Sequence, residues 1–277
     1  MIDKDVLAVI QKIELELLKA VVSLCDRYNL RYSIYCGTLL GAVRHGGFVP
    51  WDDDTDLAMP LGDYRKFLQH ANELPSQFVC EHRDNTDECG YLWAKVKANG
   101  TTFMRVDFAK LEVHHGLHLS IFPMIGTPKS SFLKKIQKRL LFAAVRLQRA
   151  AYYRCMNNPG FARWIIMHIP FFIRKAAIDM ILWGCMLEPG NSGRIGTIDG
   201  VDFEGKFNKK DWEHMTKLRF EDTYYTAPVQ YDRILRRMYG NYMKPPPEDK
   251  RTGHVIGDMI IDPHRDYRLY REELLGK

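Results

Sequence analysis

Apolar residues recur at every third or fourth position along residues 4–28, and charged residues occupy much of the space between them. The apolar set is Val6, Ile10, Ile13, Leu17, Val21 and Leu24. This spacing predicts an amphipathic helix whose apolar face covers a sheet. A surface helix is also predicted over Leu61–Leu74, and another over Pro228–Tyr239, which Gly240 ends.

Short runs with strand character lie between and after these helices. They are Arg31–Cys36, Thr55–Met59, Phe78–Cys80, Tyr91–Lys97 and Gly116–Pro123, followed later by Arg194–Asp199, Val201–Phe207 and Lys217–Phe220. Trp93, Lys95 and Lys97 share one face of their strand, and we expect Lys97 on the solvent side of an edge strand. The mixture of helices and strands predicts an α/β fold.

Glycines mark the passage from the first strand into the next helix. The stretch Gly37–Ala42 follows the apolar run Tyr32–Cys36 and is expected to turn tightly into a helix. A helix start offers free backbone N–H groups and a positive dipole end, and phosphate is the usual guest there. Arg44 and His45 are expected near the end of this helix. Each is either a contact to the helix dipole or, as we favour for Arg44, a cation directed at phosphate.

An acidic run enters the second strand. Asp54 and Asp56 are two positions apart, so their carboxylates point to the same face of a strand. Two such carboxylates repel each other unless a cation lies between them, and hard oxygen ligands suit Mg²⁺ or Mn²⁺. The alternative is a solvated acidic loop, but the run continues directly into apolar Leu57–Met59 and follows Trp51. A phosphate cradle beside a divalent-metal site indicates phosphoryl transfer.

These motifs resemble a known family. The stretch Gly37–Pro60 (GTLLGAVRHGGFVPWDDDTDLAMP) is similar to the signature of the LicD family of phosphocholine transferases, which is related to fukutin and fukutin-related protein. Gly116–Pro123 (GLHLSIFP) and Tyr239–Arg251 (YGNYMKPPPEDKR) match as well, so the resemblance covers nearly the whole chain. It implies an α/β, nucleotidyltransferase-like (polymerase-β-type) mixed sheet core.

The resemblance also implies the roles of individual residues. Asp54 and Asp56 are the metal ligands, and Lys95 lies where family members usually carry a lysine near the nucleotide phosphates. Arg251, with its neighbours Lys250 and His254, matches a C-terminal motif that either closes over a substrate or is a structural strap. The predicted nucleotide and phosphate contacts are Gly37, Thr38, Leu39, Arg44, Lys95 and Arg251.

The implied reaction moves phosphocholine from CDP-choline to a hydroxyl of a glycan or glycolipid acceptor of the teichoic acid, lipopolysaccharide or capsule type, and releases CMP. The choline ammonium would need an aromatic face, for which Trp51, Tyr91 and Trp93 are candidates, with core packing as the alternative for each.

Two other functions compete with phosphocholine transfer. One is the same chemistry on another CDP-alcohol carrying ribitol or glycerol, and the other is a catalytically silent, membrane-associated binding protein of the same fold.

Ser120 departs from the family pattern. The resembling motif, GxxxDIFP, carries an aspartate there as the third carboxylate, whereas serine is a poorer metal ligand and no base at pH 7. Three accounts stay open: an introduced substitution that disables the enzyme, a natural pseudoenzyme, or replacement of the base by His118. His118 shares the strand face of Ser120, and its unperturbed pKa of about 6.5 suits a base. Ser120 and His118 therefore join Asp54 and Asp56 as catalytic candidates.

Residues 128–178 carry eleven Lys and Arg and no Asp or Glu, among many large apolar residues. They predict two or three helices, broken near Asn157–Gly160 and at Pro170. A basic, aromatic-rich face suits an anionic membrane surface, and a helical cap with a basic solvent face is the equal alternative. Nucleic acid is not expected as a partner, because no recognised binding module accompanies the charge.

Length and composition complete the picture. The chain has 277 residues, 46% of them apolar and 27% charged, with a net charge of +6, which is ordinary for a globular protein. We predict a catalytic core over residues 1–127, a basic helical insertion over 128–190 and a C-terminal α/β segment over 191–277.

Six cysteines without metal-type spacing and no apparent signal peptide favour the cytoplasm, with a peripheral position on the inner face of the membrane as an option. For Cys80 and Cys89, with His82 between them, a disulfide or a zinc site is an alternative.

Overall fold

The computed structural model describes residues 2–186, 193–198, 207–254 and 257–276. The helices in these ranges are α1 (Lys4–Arg27), α2 (Cys36–Arg44), α3 (Leu61–His70), α4 (Ser131–Gln148), α5 (Ala150–Tyr153), α6 (Phe161–His168), α7 (Phe171–Met186), α8 (Tyr231–Tyr239) and α9 (Tyr267–Leu275). The strands are β1 (Ser33–Ile34), β2 (Thr55–Pro60), β3 (Phe78–Glu81), β4 (Ala94–Ala98), β5 (Thr102–Arg105), β6 (His118–Gly126), β7 (Arg194–Thr197), β8 (Phe207–Asn208), β9 (Met215–Phe220), β10 (Thr223–Pro228) and β11 (Met259–Asp262).

A mixed sheet of seven strands forms the centre of the described chain. Five of them lie in the order β1-β2-β6-β4-β3, and the other two, β7 and β8, extend the sheet beside β6. β2 and β6 run parallel, and the other neighbouring pairs run antiparallel. β4 pairs with the first half of β6, whereas β7 pairs with its second half and carries β8. The first half of β6 therefore lies between β2 and β4. The predicted α/β class is confirmed.

Helix α1 covers one face of this sheet, as its apolar spacing predicts. Asp3 caps its start by accepting the N–H groups of Asp5 and Val6. On the inner side, the fully buried Glu14 accepts a hydrogen bond of 2.9 Å from the Thr55 hydroxyl, and burial raises the pKa of this carboxyl well above its usual range. Thr55 thus faces α1, and alternation along the chain turns the neighbouring aspartates to the opposite face.

The passage from β1 to α2 differs from the prediction. The strand is only Ser33–Ile34, and the helix begins at Cys36 rather than Thr38. The reason is that the Leu39 N–H donates to the Tyr35 carbonyl at 3.1 Å, which closes the first helical turn earlier. The N–H groups at this helix start therefore belong to the segment just before Leu39.

The predicted position of Lys97 is wrong. β4 is an interior strand between β6 and β3, so neither of its edges is open to solvent. The Lys97 ammonium is buried, lies 2.6 Å from the Glu81 carboxylate and also donates to the His114 carbonyl. A buried charge needs such a partner, which explains why Glu81 is buried with it.

Later segments mix confirmed and missed elements. The strands predicted near Arg194 and Lys217 and the helix ending at Tyr239 are present. The small antiparallel pair of β5 and β11 was not predicted. The strand predicted over Val201–Phe207 lies outside the described residues except at its last residue, and so does the domain boundary predicted at 190/191.

Four helices, α4 to α7, occupy the described part of the basic segment, whereas two or three were predicted, because a further break separates α4 from the short α5. The predicted breaks are confirmed: Gly160 has a φ of +73°, and Pro170 separates α6 from α7. A small apolar cluster joins Leu141 of α4 and Ile178 and Leu182 of α7 to Ile125 of β6, so these helices pack against the sheet. Among the described helices, none combines the length and the apolar character that a bilayer crossing requires.

Candidate functional site

A row of polar side chains crosses four strands of the sheet. In register, Asp56 of β2 lies beside Ser120 of β6, Ser120 beside Lys95 of β4, and Lys95 beside Glu81 of β3. Residues in register share a face, so these side chains form one polar line on the face opposite α1. The structure therefore brings the predicted Asp56, Ser120 and Lys95 together.

Two cavities meet at the carboxylates of Asp54 and Asp56, which line both. The first, of about 490 Å³, lies at the start of α2, and we call it the helix-start cavity. Other residues that line it include Gly37, Leu40, Arg44, Trp51, Asp52, Tyr239, Tyr242, Lys244 and His254. The second, of about 400 Å³, is the aromatic cavity. It is lined by Tyr91, Trp93, Phe103, Phe108, Phe122 and Tyr152, together with Lys95, His118, Ser120 and His254.

The helix-start cavity has the backbone approach that glycine permits. A Cβ atom on Gly37 would lie 2.3 Å from a carboxylate oxygen of Asp52, so a larger residue would displace that side chain. The Thr38 hydroxyl is buried and accepts the Asp56 N–H at 2.8 Å, which ties α2 to β2. Leu39 does not fit its predicted phosphate contact, because its N–H is used within the helix and its side chain is fully buried.

Two guanidinium groups lie over the Trp51 ring; Arg44 and Trp51 line this cavity, whereas Arg251 lines neither of the two cavities. Arg44 lies 5.8 Å and Arg251 5.2 Å from the indole centroid. The Arg44 guanidinium also donates to the Tyr242 carbonyl at 2.6 Å, which directs it toward the cavity rather than toward the end of its own helix. Burial, with the charge of Arg251 beside it, lowers the pKa of Arg44. His45 caps α2 and lines neither cavity.

A cluster that the sequence motifs did not reveal lies where the cavities join. Ligand atoms of Asp52, Asp53, Asp54 and His254 all fall within 4.8 Å of one another. The buried Asp53 accepts two hydrogen bonds from His254, one from its N–H at 2.9 Å and one from Nδ1 at 2.7 Å. A Cβ atom on Gly253 would lie 2.5 Å from Asp53, so the C-terminal segment approaches as closely as glycine allows.

The acidic cluster fits a divalent cation. Burial, and then the charge of Asp54, raises the pKa of Asp52 to about 7, and the pKa of Asp56 rises well above its usual range for the same reasons. Burial also raises the pKa of Asp54. The bond to Asp53 and the charge of Asp54 raise the pKa of His254 to about 10. Among the described residues of this cluster, the His254 imidazolium is the single positive charge. It faces three carboxylates, those of Asp52, Asp53 and Asp54, so negative charge remains for a cation to neutralise.

The aromatic cavity contains a lysine and a histidine in direct contact. Lys95 Nζ lies 2.6 Å from His118 Nε2. Burial, and then the charge of Lys97, lowers the pKa of Lys95 to about 8. Burial and the charges of both lysines hold the pKa of His118 well below its usual range. The value near 6.5 that made His118 a candidate base is the pKa of an unperturbed imidazole, whereas here the half-buried ring accepts a hydrogen bond from the Lys95 ammonium group.

Buried polar groups also support the wall of the aromatic cavity. Glu81 accepts hydrogen bonds from Lys97, from the Tyr91 hydroxyl and from the His114 N–H, which fixes the Tyr91 ring. The Trp93 ring lies 5.3 Å from Tyr91, and its Nε1–H is buried without a partner. An orphaned donor in a cavity wall suits an oxygen of a bound ligand.

The family comparison supports the motif interpretation. Residues 29–142 match the family model described as LicD/FKTN/FKRP, nucleotidyltransferase domain. The resemblance inferred from the sequence motifs is thereby confirmed. The matched segment includes Asp54, Asp56 and Ser120, whereas Arg251 and His254 lie beyond it.

Two named relatives extend this picture. The chain is 24% identical over 270 residues to the lipopolysaccharide cholinephosphotransferase LicD of Haemophilus influenzae, a match that covers 91% of this chain and 96% of that protein. It is 32% identical over 120 residues to the human ribitol 5-phosphate transferase FKRP, which covers 43% of this chain but only 21% of FKRP. The chain thus spans nearly all of the bacterial relative and about a fifth of the human one.

Proposed function

We propose that this chain, whose residues 29–142 match the family model described as LicD/FKTN/FKRP, nucleotidyltransferase domain, is a metal-dependent transferase of phosphocholine from CDP-choline to a glycan hydroxyl. The observation that carries the proposal is the position of Asp54 and Asp56 at the junction of two cavities. A group transferred between two substrates must lie where both can reach it. The similarity to a cholinephosphotransferase over most of the chain supports this choice of group.

In this proposal the helix-start cavity binds the nucleotide end of the donor. The first turn of α2 offers N–H groups beside Gly37, and the guanidinium of Arg44 stays charged at any pH that the protein meets. Gly37 and Arg44 line the same cavity as Asp54 and Asp56. A polymerase-β-type core is consistent with this arrangement, in which a helix start lies beside the carboxylates of a neighbouring strand.

The divalent cation, Mg²⁺ or Mn²⁺, would be held by Asp54 and Asp56, with Asp52 beside them. When bound, it supplies Lewis-acid stabilisation of the charge on the phosphate oxygens. His254, held by Asp53, closes the cluster from the C-terminal side. Asp53 is thus a positioning residue, which acts through His254.

The aromatic cavity receives the acceptor hydroxyl and the choline group. The acceptor oxygen bonds to the phosphorus, the bond from phosphorus to the CMP oxygen breaks, and CMP leaves with that electron pair. Lys95, as an ammonium, neutralises a phosphate oxygen, and His118 holds Lys95 in place. Ser120 supplies no base for the hydroxyl proton, which then passes to water, so we expect the reaction to be slow.

A second candidate is transfer of another alcohol phosphate, which the match to FKRP favours. The test is CMP release by the purified chain from CDP-choline, CDP-ribitol and CDP-glycerol, with Mg²⁺ or Mn²⁺ and with a chelator. Metal-dependent release from CDP-choline supports the proposal. Release from CDP-ribitol or CDP-glycerol alone would replace the donor, and no release from any donor would favour the silent binding protein.

We also propose a reducing, cytoplasmic compartment. In the part of the chain that the structure describes, Cys80 and Cys89, for which the sequence left a disulfide open, are free thiols. Burial raises the pKa of both of these thiols to about 12, which makes them inert.

A further inference from the structure

The outer surface of α4, α6 and α7 is covered by large apolar side chains. The exposed set is Phe132, Leu133, Ile136, Leu140, Phe142, Phe161, Trp164, Ile165, Phe172, Ile173, Met180 and Trp183. Phe161 is 78% exposed and Phe172 70% exposed. We call this set the apolar surface. A monomeric soluble protein rarely exposes so many neighbouring apolar residues without a partner.

Helix α7 shows the pattern most clearly because it is apolar on two opposite faces. Ile178, Leu182 and Cys185 point inward and are buried against α4 and the sheet. Phe172, Met180 and Trp183 project from the other side of the same helix and are exposed. A helix that is apolar all round is normally buried, so the outer face of α7 requires a covering partner.

The charge around the apolar surface indicates what that partner is. Residues 128–178 carry eleven basic residues and no acidic one. On α4, four basic residues have no ion-pair partner within the described residues: Lys134, Lys135, Arg139 and Arg146. The Arg146 guanidinium lies 5.9 Å from the Phe142 centroid, so a cationic group contacts a member of the apolar surface directly. Such a surface complements an anionic, apolar-cored partner.

We infer that the apolar surface of α4, α6 and α7 docks on an anionic phospholipid bilayer, with the helices lying in its interface. Trp164 and Trp183 have the amphipathic rings that prefer this depth. A symmetric dimer through the same surface would bring two sets of basic residues together and is disfavoured. The inference does not depend on the proposed reaction. The helices of this surface are connected to the site through α5, which lies between α4 and α6 in the chain and whose Tyr152 lines the aromatic cavity.

The test is flotation of the full chain with vesicles of phosphatidylcholine alone or mixed with phosphatidylglycerol. We expect partition onto the mixed vesicles, weaker at high salt, with a blue shift of tryptophan fluorescence. Phe172→Ser and Trp183→Ser should each lower the partition of the chain onto vesicles about tenfold or more. Each substitution removes a large apolar side chain that the bound chain would bury in the bilayer interface. Lys135→Glu and Arg139→Glu should each lower it about fivefold or more.

Matched controls change similar residues elsewhere on the chain. Tyr224→Ser and Met243→Ser remove exposed apolar side chains outside the apolar surface, and Arg237→Glu reverses an exposed charge on α8. These variants should float like the parent chain. Circular dichroism and light scattering are measured for every variant to detect loss of folding. If one variant of a pair does not fold, the flotation of the other variant tests the inference.

Three results would overturn the inference. The first is absence of flotation with mixed vesicles at low salt. The second is equal loss of flotation in the control variants. The third is a dimer in light scattering that Phe172→Ser and Trp183→Ser dissociate while neither changes vesicle binding, which would make the apolar surface a contact between two copies of the chain.

Discussion

The helix-start cavity and the aromatic cavity share Asp54 and Asp56 but differ in how they hold positive charge. In the first, Arg44 lies at a rim beside Trp51 and its guanidinium is permanently charged. In the second, Lys95 is half-buried next to His118, and its pKa falls to about 8. A permanent cation suits a nucleotide diphosphate, which is always anionic. A cation that can lose its proton near neutral pH suits the side where a hydroxyl reacts.

The largest expected effect comes from the carboxylates that both cavities share. Asp54→Asn or Asp56→Asn should reduce CMP release by at least about 10⁴-fold, since a catalytic metal supplies several kcal/mol and each 1.36 kcal/mol is a factor of ten. Turnover and calorimetric metal titration measure this effect. Asp222→Asn, an exposed carboxylate that pairs with Lys19, is the control and should change neither. Full activity in either site variant would remove the metal assignment.

The next effect concerns only the aromatic cavity. Ser120→Asp restores the third carboxylate of the family motif beside Asp56, and it should raise turnover by roughly 10²–10⁴-fold, the contribution of a positioned base. Metal affinity should rise with it. His118→Ala in the parent chain tests the other account of the missing base. If Ser120→Asp changes nothing while His118→Ala abolishes existing activity, the histidine carries that role in spite of its lowered pKa.

A smaller effect should be confined to the helix-start cavity. Arg44→Gln should raise KM for the CDP-alcohol by about 10–100-fold with kcat little changed, because it removes a charge-assisted hydrogen bond to phosphate. Arg236→Gln on α8, where the arginine pairs with Asp232 at the surface, is the matched control. A fall in kcat with unchanged KM would place the nucleotide elsewhere.

The smallest effect is a pH dependence. The ammonium of Lys95 is present below a pKa of about 8 and is lost above it, so kcat/KM for the donor should fall by about tenfold as the pH rises through that value. In Lys95→Arg the cation cannot titrate in this range, and the decline should disappear. A rate that instead rises through pH 8 would mean that neutral Lys95 accepts the hydroxyl proton.

Local patterns predicted the parts of the fold that depend on neighbours in the chain. Helix α1 follows from its apolar spacing, and the breaks in the basic segment follow from Gly160 and Pro170. Lys97 was misplaced because the sequence of a strand does not show whether another strand pairs with its outer edge. β5 and β11 were missed for a related reason, since they are short and pair with each other across a long separation in the sequence.

The candidate site shows the same division. Asp56, Ser120 and Lys95 were found because short motifs carry them, and the sheet register places them side by side. Asp53 was not singled out, although it lies within the acidic run, because its partner His254 is 201 residues away. The low pKa of His118 could not be predicted either, since it depends on burial and on ammonium groups of another strand.

The contact between Asp53 and His254 also has a consequence for folding. Contacts between residues far apart in sequence form late, because the entropy of closing the intervening loop must be overcome first. The two halves of the acidic cluster are brought together only when the segment carrying Gly253 and His254 has returned to β2. A partly folded or growing chain would therefore display the motif of residues 37–60 without a finished site. Competence for chemistry then becomes a late event of folding, coupled to the return of the C-terminal segment.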